Sequence, residues 1–371
     1  MSSAAEVFPP GEFLKEEMDA RGWTQVELAE VMGRPTKVVN EIIAGKKAIT
    51  PETAVQLGDA LGTSPELWMN LETSYQLSKV QTRSSDVSVR AKLYAQFPVR
   101  DMLKRGWVKS TDDIEALTQS FLGFFRIPSL DATPSFRHAA KKAEPLEACS
   151  YPQLAWLFRA REVAQSLVAK KYSQEKLEAA LRGLSDLRTA PEEVRHAPRL
   201  LAEAGVRLVY IEALPGSKID GACFWLDNDQ PVIAMSLRLD RIDNYWFVLR
   251  HECEHVLRGH GKDAGFILDQ DIERMDVANV AAEERQANDA GAEFCVPQEA
   301  LIDFINRVSP YFSEERVTGF ARRLGIHTGI VAGQLRRKLD RWDRWNHHLA
   351  KVKDIAIKSA PVDGWGLVEH S

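Results

Sequence analysis

Residues 251–255 read His251-Glu252-Cys253-Glu254-His255, and a second run follows at Glu284-Arg285-Gln286-Ala287-Asn288. On a helix, positions four apart share a face, so both imidazoles can hold one metal ion. Glu252 then lies beside that ion, where a carboxylate can take a proton from water. The pattern around the run suits this. Three apolar, β-branched stretches at 206–211, 221–226 and 231–236 read as strands, and a helix over 244–258 follows them. Trp246, Phe247, Val248, Leu249 and Val256 flank the histidines, so that helix should be partly buried. Helical pattern returns at 280–295, 298–307, 313–324 and 328–345.

The bland alternative is that five-residue matches arise by chance and that helix histidines are often surface groups. Against it stand the strand-then-helix setting, the apolar flanks and a glutamate on a second helix. The reading is therefore His251, His255 and Glu284 as metal ligands, water in the fourth position, and Glu252 as general base. Zinc is expected, with manganese as an alternative. Asn288, four residues after Glu284, is placed to hydrogen-bond a ligating histidine from outside the ligand shell. His260 is a rival ligand but falls beyond Gly259, off the helix. Cys253 projects away and reads as a packed side chain. His327 and Tyr245 are candidate oxyanion donors; nothing in the sequence selects either, and a structural role suits both better.

The chain has 371 residues, 44% apolar and 27% charged, with a net charge of −5. That composition fits a globular protein of two or three domains. The acidic balance means any nucleic-acid contact must come from a local patch. Cys149, Cys223, Cys253 and Cys295 are scattered without a C-x-x-C pair, which fits a reducing compartment. No stretch approaches a membrane span and the start lacks signal-peptide regions, so a cytoplasmic protein is expected.

Residues 10–78 read as five short helices. Thr24 and Glu27 form a capping box, Gly33 ends that helix, and Thr50-Pro51 and Ser64-Pro65 open two more. The helix at 23–32, a turn at Arg34-Pro35, and a helix at 36–44 have the spacing of a helix-turn-helix, whose second helix enters the major groove. Gln25 is placed for a phosphate. Thr36, Lys37 and Asn40 would face base edges, Asn40 with a preference for adenine, while Arg34, Lys46 and Lys47 suit phosphates. The competing reading is a helical protein-interaction module, since 10–70 holds six Lys/Arg against ten Asp/Glu. Within 34–47, however, four basic residues face one acidic residue, so the contact edge alone is positive.

Beyond the reader, 79–92 is polar and serine-rich, a candidate linker. Residues 93–190 read as a helical spacer or oligomerisation layer. The metal domain spans 195–345. A basic C-terminal tail, 346–371, ends in a stretch from 359 that looks frayed. Ten Lys/Arg against three Asp lie within 322–358. The fold class expected is mainly α with a small α+β zincin-like domain.

Two resemblances follow from these residues. The run 251–255, with Glu284-Arg-Gln-Ala-Asn288-Asp-Ala-Gly-Ala-Glu-Phe294-Cys-Val-Pro297, resembles the ImmA/IrrE metallopeptidases over roughly 195–340. Ala290, Gly291 and Phe294-Cys295-Val296 depart from that family's pattern at packing positions only. Over 10–78, Thr24-Gln25-Val26-Glu27-Leu28-Ala29, Asn40-Glu41-Ile42-Ile43-Ala44-Gly45-Lys46 and Ser64-Pro65-Glu66-Leu67-Trp68 resemble the HigA-type antitoxins of the XRE helix-turn-helix class. The resemblances imply a homodimeric repressor of operator DNA. They also imply a zinc endopeptidase of narrow specificity acting on a partner repressor, a toxin or the chain itself. The alternative is a non-enzymatic antitoxin-type repressor whose metal domain is a sensor or scaffold.

Overall fold

The computed structural model describes residues 8–79, 84–134, 136, 149–262, 265–271 and 281–368. They divide into two compact units, Met1–Lys92 and Leu93–Ser371.

The first unit holds α1 (Pro10–Arg21), α2 (Gln25–Val31), α3 (Thr36–Ile43), α4 (Pro51–Leu61) and α5 (Pro65–Lys79). Local chemistry sets their ends. Thr24 and Glu27 cap α2 reciprocally, and the Thr53 N–H donates to the Thr50 hydroxyl at the start of α4. Leu14, Leu28, Val39, Ala54, Leu57 and Trp68 are sealed at its centre. Helices α1 and α3 cross at Gly11, where a β-carbon would lie 2.5 Å from the Ile42 carbonyl oxygen. Any side chain there would push α3 away. The polar stretch 79–92 is largely helical: α5 ends at Lys79 and α6 (Ser84–Gln96) begins five residues later, with Asp86 in its first turn. Residues 80–83 lie outside the described residues.

The second unit runs α7 (Val99–Lys104), α8 (Ile114–Phe125), α9 (Tyr151–Gln165), α10 (Gln174–Asp186) and α11 (Ala197–Glu203) into a sheet. Strands β1 (Arg207–Ile211), β2 (Ile219–Trp225) and β3 (Pro231–Met235) precede α12 (Ile242–Leu257), and β4 (Phe266–Gln270) follows it. Helices α13 (Ala282–Cys295), α14 (Gln298–Val308), α15 (Glu314–Leu324), α16 (Thr328–Leu339) and α17 (Lys353–Ala356) lead to β5 (Val362–Gly364) and β6 (Leu367–Val368). The strand order is β4-β2-β3-β1-β5-β6. β1 runs parallel to β3 and β5, whereas β2 is antiparallel to β3 and β4. Among the described residues no helix is long and apolar enough to cross a membrane, and all four cysteines are free.

Both faces of the sheet are covered. Leu208, Tyr210, Cys223, Ile233 and Met235 join the core under α12, together with Tyr245, Trp246, Val248 and Leu249. The alternate positions point the other way, where Phe224 meets Phe136 and Phe136 meets Phe158 of α9. Trp156 of α9 is fully buried and its indole N–H donates to the Ile211 carbonyl at 2.8 Å. Residues 93–190, read from their pattern as a spacer, thus belong to the same unit as the sheet. A correction is needed at the end of the chain. The stretch from 359 contributes β5, whose Asp363 is fully buried, pairs with Arg159 of α9 and accepts from the Trp107 indole at 2.8 Å.

Candidate metal centre and DNA-reading edge

Helix α12 is buried nearly all round, with Ile242, Tyr245, Trp246, Val248, Leu249 and Val256 packed in the core, which carries its polar residues His251, Glu252 and His255 to zero exposure. The two imidazoles present Nε2 to each other at 3.1 Å. Glu284, in the first turn of α13, brings Oε2 to 3.4 Å from His251 Nε2 and Oε1 to 3.5 Å from His255 Nε2. The sequence reading missed a fourth group. Asp269 of β4 is 1% exposed, with Oδ2 at 3.1 Å from His251 Nε2 and 3.9 Å from His255 Nε2. It faces the same two imidazole nitrogens as Glu284 does. The only sequence signal was a short apolar run, Phe266-Ile267-Leu268, ending in an aspartate.

Whether a cation fits is decided by what these atoms lack. Glu252 Oε1 and Oε2, Asp269 Oδ2 and Glu284 Oε2 are all buried without an aligned hydrogen bond among the described residues. Converging buried oxygens and imidazole nitrogens are costly without a positive partner. Two nitrogens and carboxylate oxygens suit zinc, and also manganese. The donor set fits.

The electrostatics are those of a compressed cluster. Burial alone would lower His251, but Asp269 and Glu284 outweigh it and raise that imidazole to about 9. His255 moves down to about 4, through burial first and then the neighbouring His251 and His260, against the pull of Asp269. Burial lifts Glu252 well above the usual carboxylate range, and the Asp269 charge adds to it. Burial would raise Asp269 too, yet His251 holds it below that range. Glu284 is raised, by burial and by Asp269 against His251.

Room for Glu252 is made by a glycine. A β-carbon on Gly221 of β2 would lie 2.1 Å from Glu252 Oε1. The β2–β4 register shifts between Ile219 and Gly221, at the same place.

Other candidates resolve plainly. His260 lies beyond the end of α12 with its Nδ1 2.9 Å from His255 Nδ1, so it orients a ligand-side imidazole. Asn288 does not make the hydrogen bond expected of it: its Oδ1 and His251 Nδ1 are both buried without a partner among the described residues. Burial pushes the Cys253 thiol up to about 12, as befits packing. Tyr245 shares a hydrogen bond of 2.8 Å with Tyr210 in the core, and His327 Nδ1 accepts from the Gly329 N–H at the start of α16. Both are structural.

In the first unit, Gln25, Lys37, Asn40, Lys46 and Lys47 are exposed, on α2, α3 and the turn after α3. Thr36 is half-buried at the first position of α3. Arg34 is engaged within the unit. Its Nε donates to Gln56 Oε1 at 2.9 Å and its Nη2 pairs with Glu52 at 2.7 Å, so it ties the turn to α4.

Known proteins divide along the same line. Residues 14–68 match the helix-turn-helix family model, and residues 202–336 match that of the IrrE N-terminal-like domain, a peptidase family. An uncharacterized HTH-type transcriptional regulator of Escherichia coli, YddM, is 31% identical over 87 residues, 24% of this chain and 92% of the relative. The antitoxin HigA-1 of Vibrio cholerae is 36% identical over 74 residues, 20% of this chain and 70% of the relative. Among solved structures, the Pseudomonas aeruginosa antitoxin HigA with the higBA promoter is 29% identical. It aligns with 20% of this chain and 82% of its own, at a TM-score of 0.20.

Proposed function

We infer, for a chain that belongs to the HigA-type helix-turn-helix regulators at its N-terminal end and carries an IrrE N-terminal-like domain behind them, an operator-binding regulator with a built-in metallo-endopeptidase. The hydrolysed bond would lie in a partner repressor, a toxin or the chain itself. One observation carries the peptidase half: His251, His255 and Glu284 converge on one point with Glu252 alongside, its carboxylate buried and unsatisfied.

When bound there, zinc or manganese supplies Lewis acidity, making water a nucleophile near neutral pH and polarising a carbonyl. The protein's own part follows from its geometry. Glu284 and the two imidazoles fix the site from α12 and α13, while His260 holds His255 in orientation. Glu252, in the space left by Gly221, takes the proton of the attacking water and returns it to the leaving amine.

In the DNA half, α3 enters the major groove, with Asn40 and Lys37 toward base edges and Lys46 and Lys47 toward phosphates. One such helix per chain makes a homodimer on a two-fold operator the natural unit, and a cytoplasmic protein the setting. The test is direct. Protein loaded with zinc or manganese is incubated with candidate repressors and toxins and run beside Glu252→Gln. If no substrate distinguishes the two, peptidase activity is refuted. The position of Asp269 favours a second reading, a metal scaffold or sensor in a non-enzymatic repressor. It predicts operator binding indifferent to Glu252→Gln and no cleavage at all.

A further inference from the structure

We propose that Asp269 is a fourth protein ligand, so that the protein itself closes the metal's coordination shell until β4 carries Asp269 away. The first half stands on geometry; the second rests on the peptidase reading above.

Four ligands at zinc-type distances of about 2.0–2.1 Å stand roughly 3.3 Å from one another in a tetrahedron. The nitrogen–nitrogen separation here is 3.1 Å, and Glu284 brings one oxygen to 3.4 Å from His251 Nε2 and the other to 3.5 Å from His255 Nε2. Asp269 Oδ2 stands at 3.1 and 3.9 Å from the same two nitrogens, and the donor atoms of all four residues lie within 4.8 Å of one another. An aspartate that merely orients a ligating imidazole bonds its far nitrogen. Asp269 instead approaches Nε2, the nitrogen that both rings turn toward Glu284. The far nitrogens are otherwise disposed: His255 Nδ1 meets His260, and His251 Nδ1 has no partner among the described residues. Asp269 is therefore on the metal side of both rings.

A site closed by four protein ligands leaves no position for water and is structural; hydrolysis needs one position open. Opening requires only a ligand exchange, with the Asp269 carboxylate leaving and a water oxygen taking its place. The element that would have to move is suited to it. Among the described residues β4 is the end strand of the sheet, hydrogen-bonded to β2, and of its five residues it buries only Asp269. Just past it, Asp271 pairs with Arg238 at 2.9 Å, a contact that release would break.

Cobalt(II)-substituted full-length protein tests this through its visible spectrum, with acetohydroxamate as the probe for an open coordination position. The wild-type spectrum should not respond to acetohydroxamate. Asp269→Asn and Asp269→Ala should respond, with zinc affinity, measured by chelator competition, lowered at least about tenfold. A wild-type spectrum that shifts on adding the probe overturns the proposal, as does wild-type zinc affinity in both variants. Should the alanine variant fail to fold, the near-isosteric asparagine and the wild-type measurement still decide. Cleavage separates the two readings. If the spectra behave as expected and neither wild type nor variant cuts any candidate, the closed shell stands and the peptidase reading falls. If wild type cuts a substrate and opening the shell does not speed it, latency falls.

Discussion

The DNA-reading unit and the candidate metal centre place their polar residues in opposite ways. The reader keeps Gln25, Lys37, Asn40, Lys46 and Lys47 in solvent over an apolar core to which they contribute nothing. The metal centre puts His251, Glu252, His255 and Asp269 at the middle of its unit, drawn from α12 and β4. Exposed groups cost little to maintain and can be exchanged without loss of fold. Buried groups need a compensating charge, so their fold and their chemistry fail together. The lesson is that substitutions in the reader should separate binding from stability, and those in the metal centre should not.

The largest effect expected is on hydrolysis. Glu252→Gln should slow cleavage of a substrate by about 10²–10⁴-fold, the usual worth of a general base. A gel-shift assay should meanwhile show operator affinity unchanged. Next comes metal removal. With free zinc about a thousandfold above its dissociation constant, chelation should cost the metal domain about 4 kcal/mol. Calorimetry would then show a lower transition for that unit and an unmoved one for the reader; a joint shift would break the contrast. Third, Asn40→Ala should weaken operator binding by about 1–3 kcal/mol if it reads a base, at constant melting temperature and metal content. Gly11→Ala is the counterexample within the reader, because it presses on the α3 backbone. It should cost the first unit about 1–3 kcal/mol, lowering operator affinity and thermal stability together. The smallest effect belongs to Lys46→Ala. Binding should fall equally on specific and random DNA, with the salt slope reduced by about 1.

What the sequence disclosed follows the same division. The helix-turn-helix and the His251–His255 pair were legible because their signals are local: caps, turn residues, and a four-residue spacing that fixes a helical face. The tie of Arg34 to α4 was not legible because counting basic residues does not reveal that Glu52 and Gln56, one helix later, engage its guanidinium. Asp269 was invisible because a lone aspartate after a short apolar run carries no periodicity, and only pairing of β4 with β2 brings it to the histidines. The C-terminal strand escaped for the same reason: Asp363 finds Arg159 more than two hundred residues away in sequence. A sharper reading was available for α9. The strands 206–211 and 231–236 lack alternating polar residues, and strands of that kind are covered on both faces. A second helical layer had to come from somewhere, and the apolar helix beginning at Tyr151 was the obvious donor.

The space that Gly221 leaves for Glu252 gives a way to sort sequences that share this domain. The glutamate and the glycine are one device, since the first cannot keep its place if the second gains a side chain. If the proposed peptidase reading holds, a related chain that retains the His-Glu-x-x-His run but has lost the strand glycine is expected to have given up hydrolysis while keeping its metal. Surveying that one strand position would separate cutters from binders before any of them is purified.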